Sequence, residues 1–153
     1  MTRDKLLVAA IENGTVIDHI PSDRLFDVIN LLHLEKMKTA VTVGFNLKSA
    51  DMGHKSIIKV ADKFFTDEEL NQLSIVAPNV TLCIIRNYDI VEKRTVVMPE
   101  LLVDTVKCSN PKCITNNEPM QTRFRAIGAN GDILRCCYCN RDIPRSEVKV
   151  KVK

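Results

Sequence analysis

The sequence predicts an α+β chain in two parts, an N-terminal ferredoxin-like split βαβ sandwich over 1–100 and a small zinc-ribbon-like β domain over 101–153. Three observations carry that prediction. After a first apolar run, hydrophobic periodicity switches between that of strands and that of helices in the order β-α-β-β-α-β. Near the C-terminus, Cys108 and Cys113 form one close pair of thiols, and Cys136 and Cys139 form a second about two dozen residues later. Charge changes with them: residues 1–106 carry 12 basic and 15 acidic side chains, whereas 107–153 carry 10 and 4.

Leu6 to Ile11 reads as a buried strand, and Asn13-Gly14 as the turn that leads to a second strand over 15–20. Pro21 stops it. From Ser22, an expected N-cap, apolar residues at Leu25, Val28, Ile29 and Leu32 take the spacing of an amphipathic helix. Val41, Val43, Phe45 and Leu47 then alternate as a half-buried strand, 48–53 reads as a loop, and Ser56–Val60 as another strand. Thr66 and Glu69 match a capping box, in which hydroxyl and carboxylate each satisfy an otherwise orphaned amide. The helix it opens carries Leu70, Leu73 and Ala77 and ends at Pro78. Two further strands, 80–85 and 88–91, flank a turn at Arg86-Asn87. The exit from the first domain falls near residue 100. In the second part, 129–133 matches a hairpin turn, and alternating Val148, Val150 and Val152 predict a closing strand whose lysines guard an edge.

The thiols carry the clearest chemistry. Each close pair rides on a tight turn, and the interval lets the two turns face each other around one tetrahedral Zn²⁺. Among Cys136, Cys137 and Cys139, the two-residue spacer favours Cys136 and Cys139, leaving Cys137 outside. Four thiolates leave no position for water, so the expected zinc is structural. A second part of some fifty residues holds little core, and metal binding is expected to supply its folding free energy, on the order of 10 kcal/mol. With no signal-peptide pattern at Met1 and no apolar run of about 20 residues, the expected setting is a reducing cytoplasm without membrane attachment, where such thiols bind metal rather than crosslink.

Elsewhere, catalytic signals are weak. Asp18 and His19 are adjacent on an expected strand, so they should point to opposite faces and not act as an acid/base pair. No glycine-rich phosphate loop, nucleophile elbow or paired-carboxylate motif occurs. Lys59 and Lys93, in or just after expected strands, suit phosphate as point charges, although a lysine there is most often simply solvated.

The string from Gly14 to Pro21 (Gly-Thr-Val-Ile-Asp-His-Ile-Pro), Met52 to Lys55, Ala77-Pro78, Asn87-Tyr88 and the four thiols resemble the regulatory chain of bacterial aspartate carbamoyltransferase along essentially the full length. The resemblance implies a non-catalytic subunit of a pyrimidine-biosynthesis enzyme. Its N-terminal domain would bind nucleoside triphosphates, CTP as inhibitor and ATP as activator. Its zinc domain would dock on catalytic chains, with homodimers of the regulatory chain bridging catalytic trimers. Carried over by position, Ala10, Ile11, Ile85 and Tyr88 resemble the base-contacting set, largely through backbone groups. Asp18 and His19 match ribose and phosphate neighbours, and Lys59 and Lys93 match residues that hold ribose and phosphates. Ala9 and Cys83 depart from the family pattern, which often has an acid and an asparagine there. The alternative is a zinc-ribbon nucleic-acid binder, suggested by the basic second part. Against it, Phe124 and Tyr138 are the only aromatic residues available there for stacking, and the basic residues form no dense block. No nucleic-acid partner is expected.

Overall fold

A run buried on both faces from Gly14 to Ile17 and again at Ile20 builds β1 (Gly14–Ile20), the middle strand of a five-stranded antiparallel sheet. The computed structural model describes residues 10–151, and the chain divides into two units, 1–96 and 97–153. The expected strand at Leu6–Ile11 lies largely outside the described residues. Ala10 and Ile11 belong to no strand.

Around β1, the sheet holds β2 (Val41–Ser49), β3 (Gly53–Ala61), β4 (Thr81–Arg86) and β5 (Asp89–Thr95) in the order β2-β3-β1-β4-β5. The order β4-β1-β3-β2 is the split βαβ arrangement, and β5 adds a strand outside β4. Only glycine suits the start of β1: Gly14 has φ +141°, and a Cβ there would lie 2.1 Å from the Val60 carbonyl oxygen.

The crossovers are α1 (Leu25–Leu31) and α2 (Asp67–Asn71), extended by 3-10 turns at Ser22–Arg24 and Gln72–Ile75. Strand register determines which face they cover. Ile58, Ile17 and Leu82 stand in one row across β3, β1 and β4, fully buried as are Val28, Leu70 and Leu73 from the helical segments. Removing each such aliphatic side chain from water contributes roughly 1.5–3 kcal/mol. The expected Thr66–Glu69 capping box is present, with Glu69 N donating to Thr66 Oγ1 at 3.1 Å and Thr66 N to Glu69 Oε1 at 2.9 Å.

Three local expectations need correction. Ser22 caps no helix: Pro21 leads into a 3-10 turn, and the Ser22 hydroxyl lies 3.0 Å from Ser56 Oγ on β3. The expected loop at 48–53 is a hairpin in which β2 runs to Ser49 and β3 begins at Gly53. The turn after β4 is Asn87-Tyr88, because Arg86 still pairs with Asp89. Asn87 and Tyr88 have φ 53° and 68°, the left-handed pair of a tight two-residue hairpin.

The second unit is almost wholly short strands. A four-stranded sheet orders as β10 (Asp142–Pro144), β9 (Ile133–Cys136), β8 (Arg123–Ile127) and β6 (Leu101–Val103). A separate ribbon pairs β7 (Val106–Lys107) with β11 (Lys149–Val150). Hence the expected closing strand is only two residues long among the described residues. The 129–133 segment does join a hairpin, through a loop containing a 3-10 turn at Ala129–Gly131. Leu102, Val106, Phe124 and Leu134 form a small buried set. Among the described residues, no helix is long and apolar enough to cross a membrane.

Candidate functional site

The second unit brings the sulfurs of Cys108, Cys113, Cys136 and Cys139 within 4.8 Å of one another. Cys108 Sγ lies 3.6 Å from Cys139 Sγ, and Cys113 Sγ 3.7 Å from Cys136 Sγ. A regular tetrahedron of thiolates around zinc, with Zn–S bonds of about 2.3 Å, has edges of roughly 3.8 Å. The donor set therefore fits one zinc. Cys137 is exposed and outside the cluster, its amide donating to the Arg123 carbonyl at 2.8 Å as β9 continues toward the knuckle.

The loops are built to present sulfur. Backbone amides of Asn110, of Tyr138 and Cys139, and of Arg141 donate to the sulfurs of Cys108, Cys136 and Cys139 respectively. Thr115 Oγ1 lies 3.1 Å from Cys113 Sγ in a buried setting. Two residues that sequence reasoning missed brace the first loop. Asn116 Nδ2 donates to the carbonyls of Cys108 (2.9 Å) and Asn110 (2.7 Å), and Asn117 Nδ2 to those of Cys113 (2.8 Å) and Pro111 (3.1 Å). The signal was a pair of asparagines between the thiol pairs, in a segment whose 3-10 turn no periodicity announces.

Without metal the thiols are unequal. Burial pushes Cys108 up to about 12 and raises Cys136 also. Burial acts upward on Cys139 as well, yet the Arg141 amide and the side chains of Asn110, Cys108 and Cys136 bring it down to about 7. A metal must displace protons from most of the set, so its binding is coupled to pH.

In the first unit, the face of the sheet opposite the helices gathers most of the other expected residues. Register aligns Lys59, Val16, Cys83 and Lys93 in one row across β3, β1, β4 and β5. Val16, Cys83 and Ile85 form a buried cluster against which Ile11 and Ile57 pack. Lys59 is only 8% exposed. Burial lowers its pKa, and the Asp18 carboxylate partly offsets that. Burial raises the Cys83 thiol, opposed by the charge of Lys93.

Asp18 accepts from Lys55 Nζ at 2.9 Å, a partner sequence reasoning did not assign. A bulge between Ile17 and Ile20 overturns the expected opposition of Asp18 and His19. His19 is left-handed (φ 61°), which brings its Nδ1 to 3.9 Å from Asp18 Oδ2, and its amide donates to Asp18 Oδ1 at 2.7 Å. His19 Nδ1 is buried with no hydrogen-bond partner among the described residues. Tyr88 sits at the hairpin tip with an exposed ring, and its amide donates to the Glu12 carbonyl at 2.8 Å, joining the tip to the segment beside Ile11. Ala10 is exposed. Of the departures from the family pattern, Cys83 stands in the floor of this face, and Ala9 lies outside the described residues.

A tetrahedral set of four cysteines in one unit, and in the other a sandwich whose sheet face opposite the helices carries lysines, define a two-part binding and regulatory chain, its metal structural. Comparison with known proteins identifies it further. Residues 6–97 match the family described as the aspartate carbamoyltransferase regulatory chain, allosteric domain, and residues 100–149 match the metal binding domain of the same chain. The chain is 55% identical over 148 residues to the aspartate carbamoyltransferase regulatory chain of Bacteroides fragilis, covering 97% of each. Identity is 52% over 150 residues to that of Porphyromonas gingivalis (98% of this chain, 99% of the relative) and 44% over 146 residues to that of Pyrococcus horikoshii (94% and 96%). The chain belongs to the aspartate carbamoyltransferase regulatory chain family, a non-catalytic subunit of an enzyme of pyrimidine biosynthesis, with an allosteric domain and a metal-binding domain that holds one structural zinc. The nucleic-acid-binding alternative does not stand against this full-length match.

Proposed function

We propose that the open face of the first sheet binds a nucleoside triphosphate, CTP or ATP, and that the bound effector biases catalytic chains docked on the zinc-binding unit. The row Lys59–Val16–Cys83–Lys93 carries this reading: it places a cation on each side of an apolar floor. The family pattern puts the base near Ala10, Ile11, Ile85 and Tyr88, and the ribose and phosphates near Asp18, His19, Lys59 and Lys93. The orphaned His19 Nδ1 supports this, since a ligand oxygen would satisfy it. Lys55 holds Asp18, offsetting its repulsion of phosphate. A phosphate beside Lys59 would favour its charged form, which burial disfavours.

Regulation requires the effector to bind two states of the assembly with different affinity. Self-association into a regulatory homodimer fits the exposed pair formed by Phe45 of the edge strand β2 and Phe26 of α1, 54% and 67% exposed with ring centroids 6.4 Å apart. Calorimetric titration of the reconstituted complex tests the effector site. Lys59→Met and Lys93→Met are each expected to weaken CTP and ATP binding about tenfold, the loss of one charge-assisted contact. Unchanged affinities in both variants would sink the site. Cys83→Asn, by contrast, is expected to alter the ratio of CTP to ATP affinity more than their sum.

A further inference from the structure

The second unit has a cleft of about 580 Å³ that shares Cys108 and the first thiol loop with the metal centre and is otherwise bordered by the 3-10 turn at Arg145–Glu147 and the β7–β11 ribbon. The ribbon has two residue pairs, Val106↔Val150 and Lys107↔Lys149. Like charges directly opposite on one face destabilise a sheet, so half of this register works against the fold. Both lysines are exposed and line the cleft. Among the described residues neither is in an ion pair, and Glu147, the one carboxylate on the cleft wall, holds neither. The wall beneath them is firm, because Asn116 is bonded to two carbonyls of the thiol loop and Ile143 and Val148 are buried. A local conflict kept on a rigid support marks a surface made for something outside the chain.

We propose that this cleft receives a carboxylate-bearing loop of an aspartate carbamoyltransferase catalytic chain, with its acids against Lys107 and Lys149. The proposal rests on the docking reading above and specifies the surface and its chemistry. Charge complementarity supports it: 107–153 has ten basic and four acidic residues, and an acidic loop would relieve the lysine repulsion. No aromatic ring lines the cleft for a base to stack on, and Glu147 disfavours a free polyphosphate while remaining able to accept from a loop amide.

The test uses the full-length zinc-loaded chain and measures its binding to purified catalytic subunits across a salt series. In K107M/K149M, zinc stoichiometry is expected to stay at one and thermal stability to hold or rise, while Kd rises about tenfold and its salt dependence flattens. K107R/K149R should stay within about threefold of wild type, since the charge is retained. That separation of assembly from stability is what a merely structural role would not produce. Wild-type binding matched by the methionine variant would overturn the cleft assignment alone. So would tripolyphosphate binding that depends on the lysines but leaves assembly untouched, or loss of assembly that tracks loss of zinc. A wild-type chain that does not bind catalytic subunits would overturn the docking reading and the cleft with it.

Discussion

The two units keep their folds by opposite means. In the first, a sheet flanked by helices buries Ile17, Leu25, Ile58, Leu70, Leu73 and Leu82 almost completely, and the polar chemistry lies on the other face. In the second, strands of two to five residues surround a few apolar side chains, and three of the four clustered cysteines are themselves buried. The first can therefore hold a site that a ligand occupies and leaves. The second can hold a docking surface only while its metal stays. A regulatory chain built this way separates the part that must respond from the part that must not.

The largest expected effect follows from that dependence. Stripping zinc with a mercurial and a chelator should remove stabilisation on the order of 10 kcal/mol from the second unit. Amide exchange over 97–153 should rise to the unfolded rate while the strands of the first unit stay protected, and the chain should part from its catalytic partner. A metal-free chain with a fully protected second unit, still assembled, would refute it. Cys113→Ser should mimic the loss, and Cys137→Ser should leave zinc content unchanged, because Cys137 is exposed and outside the cluster.

Acidification should do the same, and the sign is determined. Bound thiolates carry no protons, whereas free thiols are protonated below their ordinary pKa of about 8.5. The unfolded, metal-free state thus binds more protons, so stability falls as pH falls. Zinc affinity should drop by up to about four decades per pH unit below the thiol range, one for each proton taken up. A zinc-release midpoint indifferent to pH would contradict thiolate ligation.

A change confined to the first unit should give the reverse pattern. Ile58→Ala opens a cavity in the row shared with Ile17 and Leu82, at an expected cost of about 2–5 kcal/mol. Differential scanning calorimetry should show the first unit melting earlier with zinc still bound. If both units shift together, they do not fold independently.

How much of this could be read beforehand depended on how local the signal was. The thiol pairs were legible because each lies in one turn, and the preference for Cys136 over Cys137 needed only a spacer length. The Thr66 capping box was legible for the same reason. The row joining Lys59 to Lys93 was not: it depends on four strands pairing in register, which no single segment encodes, and only the resemblance drew the two lysines together. The opposition expected of Asp18 and His19 failed differently, although their side chains make no hydrogen bond to each other. Strict alternation assumes a regular strand, and the bulge before Ile20 with a left-handed His19 breaks it. Lys55 and the brace of Asn116 and Asn117 went unassigned, because their roles arise from contacts made after folding. Ser22 shows the converse, a residue of the right type whose hydroxyl is claimed by Ser56 across the fold.

The smallest expected effect tests whether local consistency matters in the unit that has a core. Thr66→Ala removes the hydroxyl that accepts from the Glu69 amide and leaves that amide to solvent. Capping substitutions of this kind cost about 1 kcal/mol. Here the helix is a single five-residue segment, α2, continued by a 3-10 turn, so its own propensity contributes little, and the cap and the burial of Leu70 and Leu73 hold it in place. Asp67 stands in the same first turn and is paired with Arg94 on β5, so a frayed α2 would also loosen the strand that carries Lys93. The expected outcome is a loss of about 1 kcal/mol in the first unit by denaturant titration, with no change in zinc content. If stability falls and CTP affinity falls with it, α2 helps to position β5. If stability falls alone, the face opposite the helices is insulated from them.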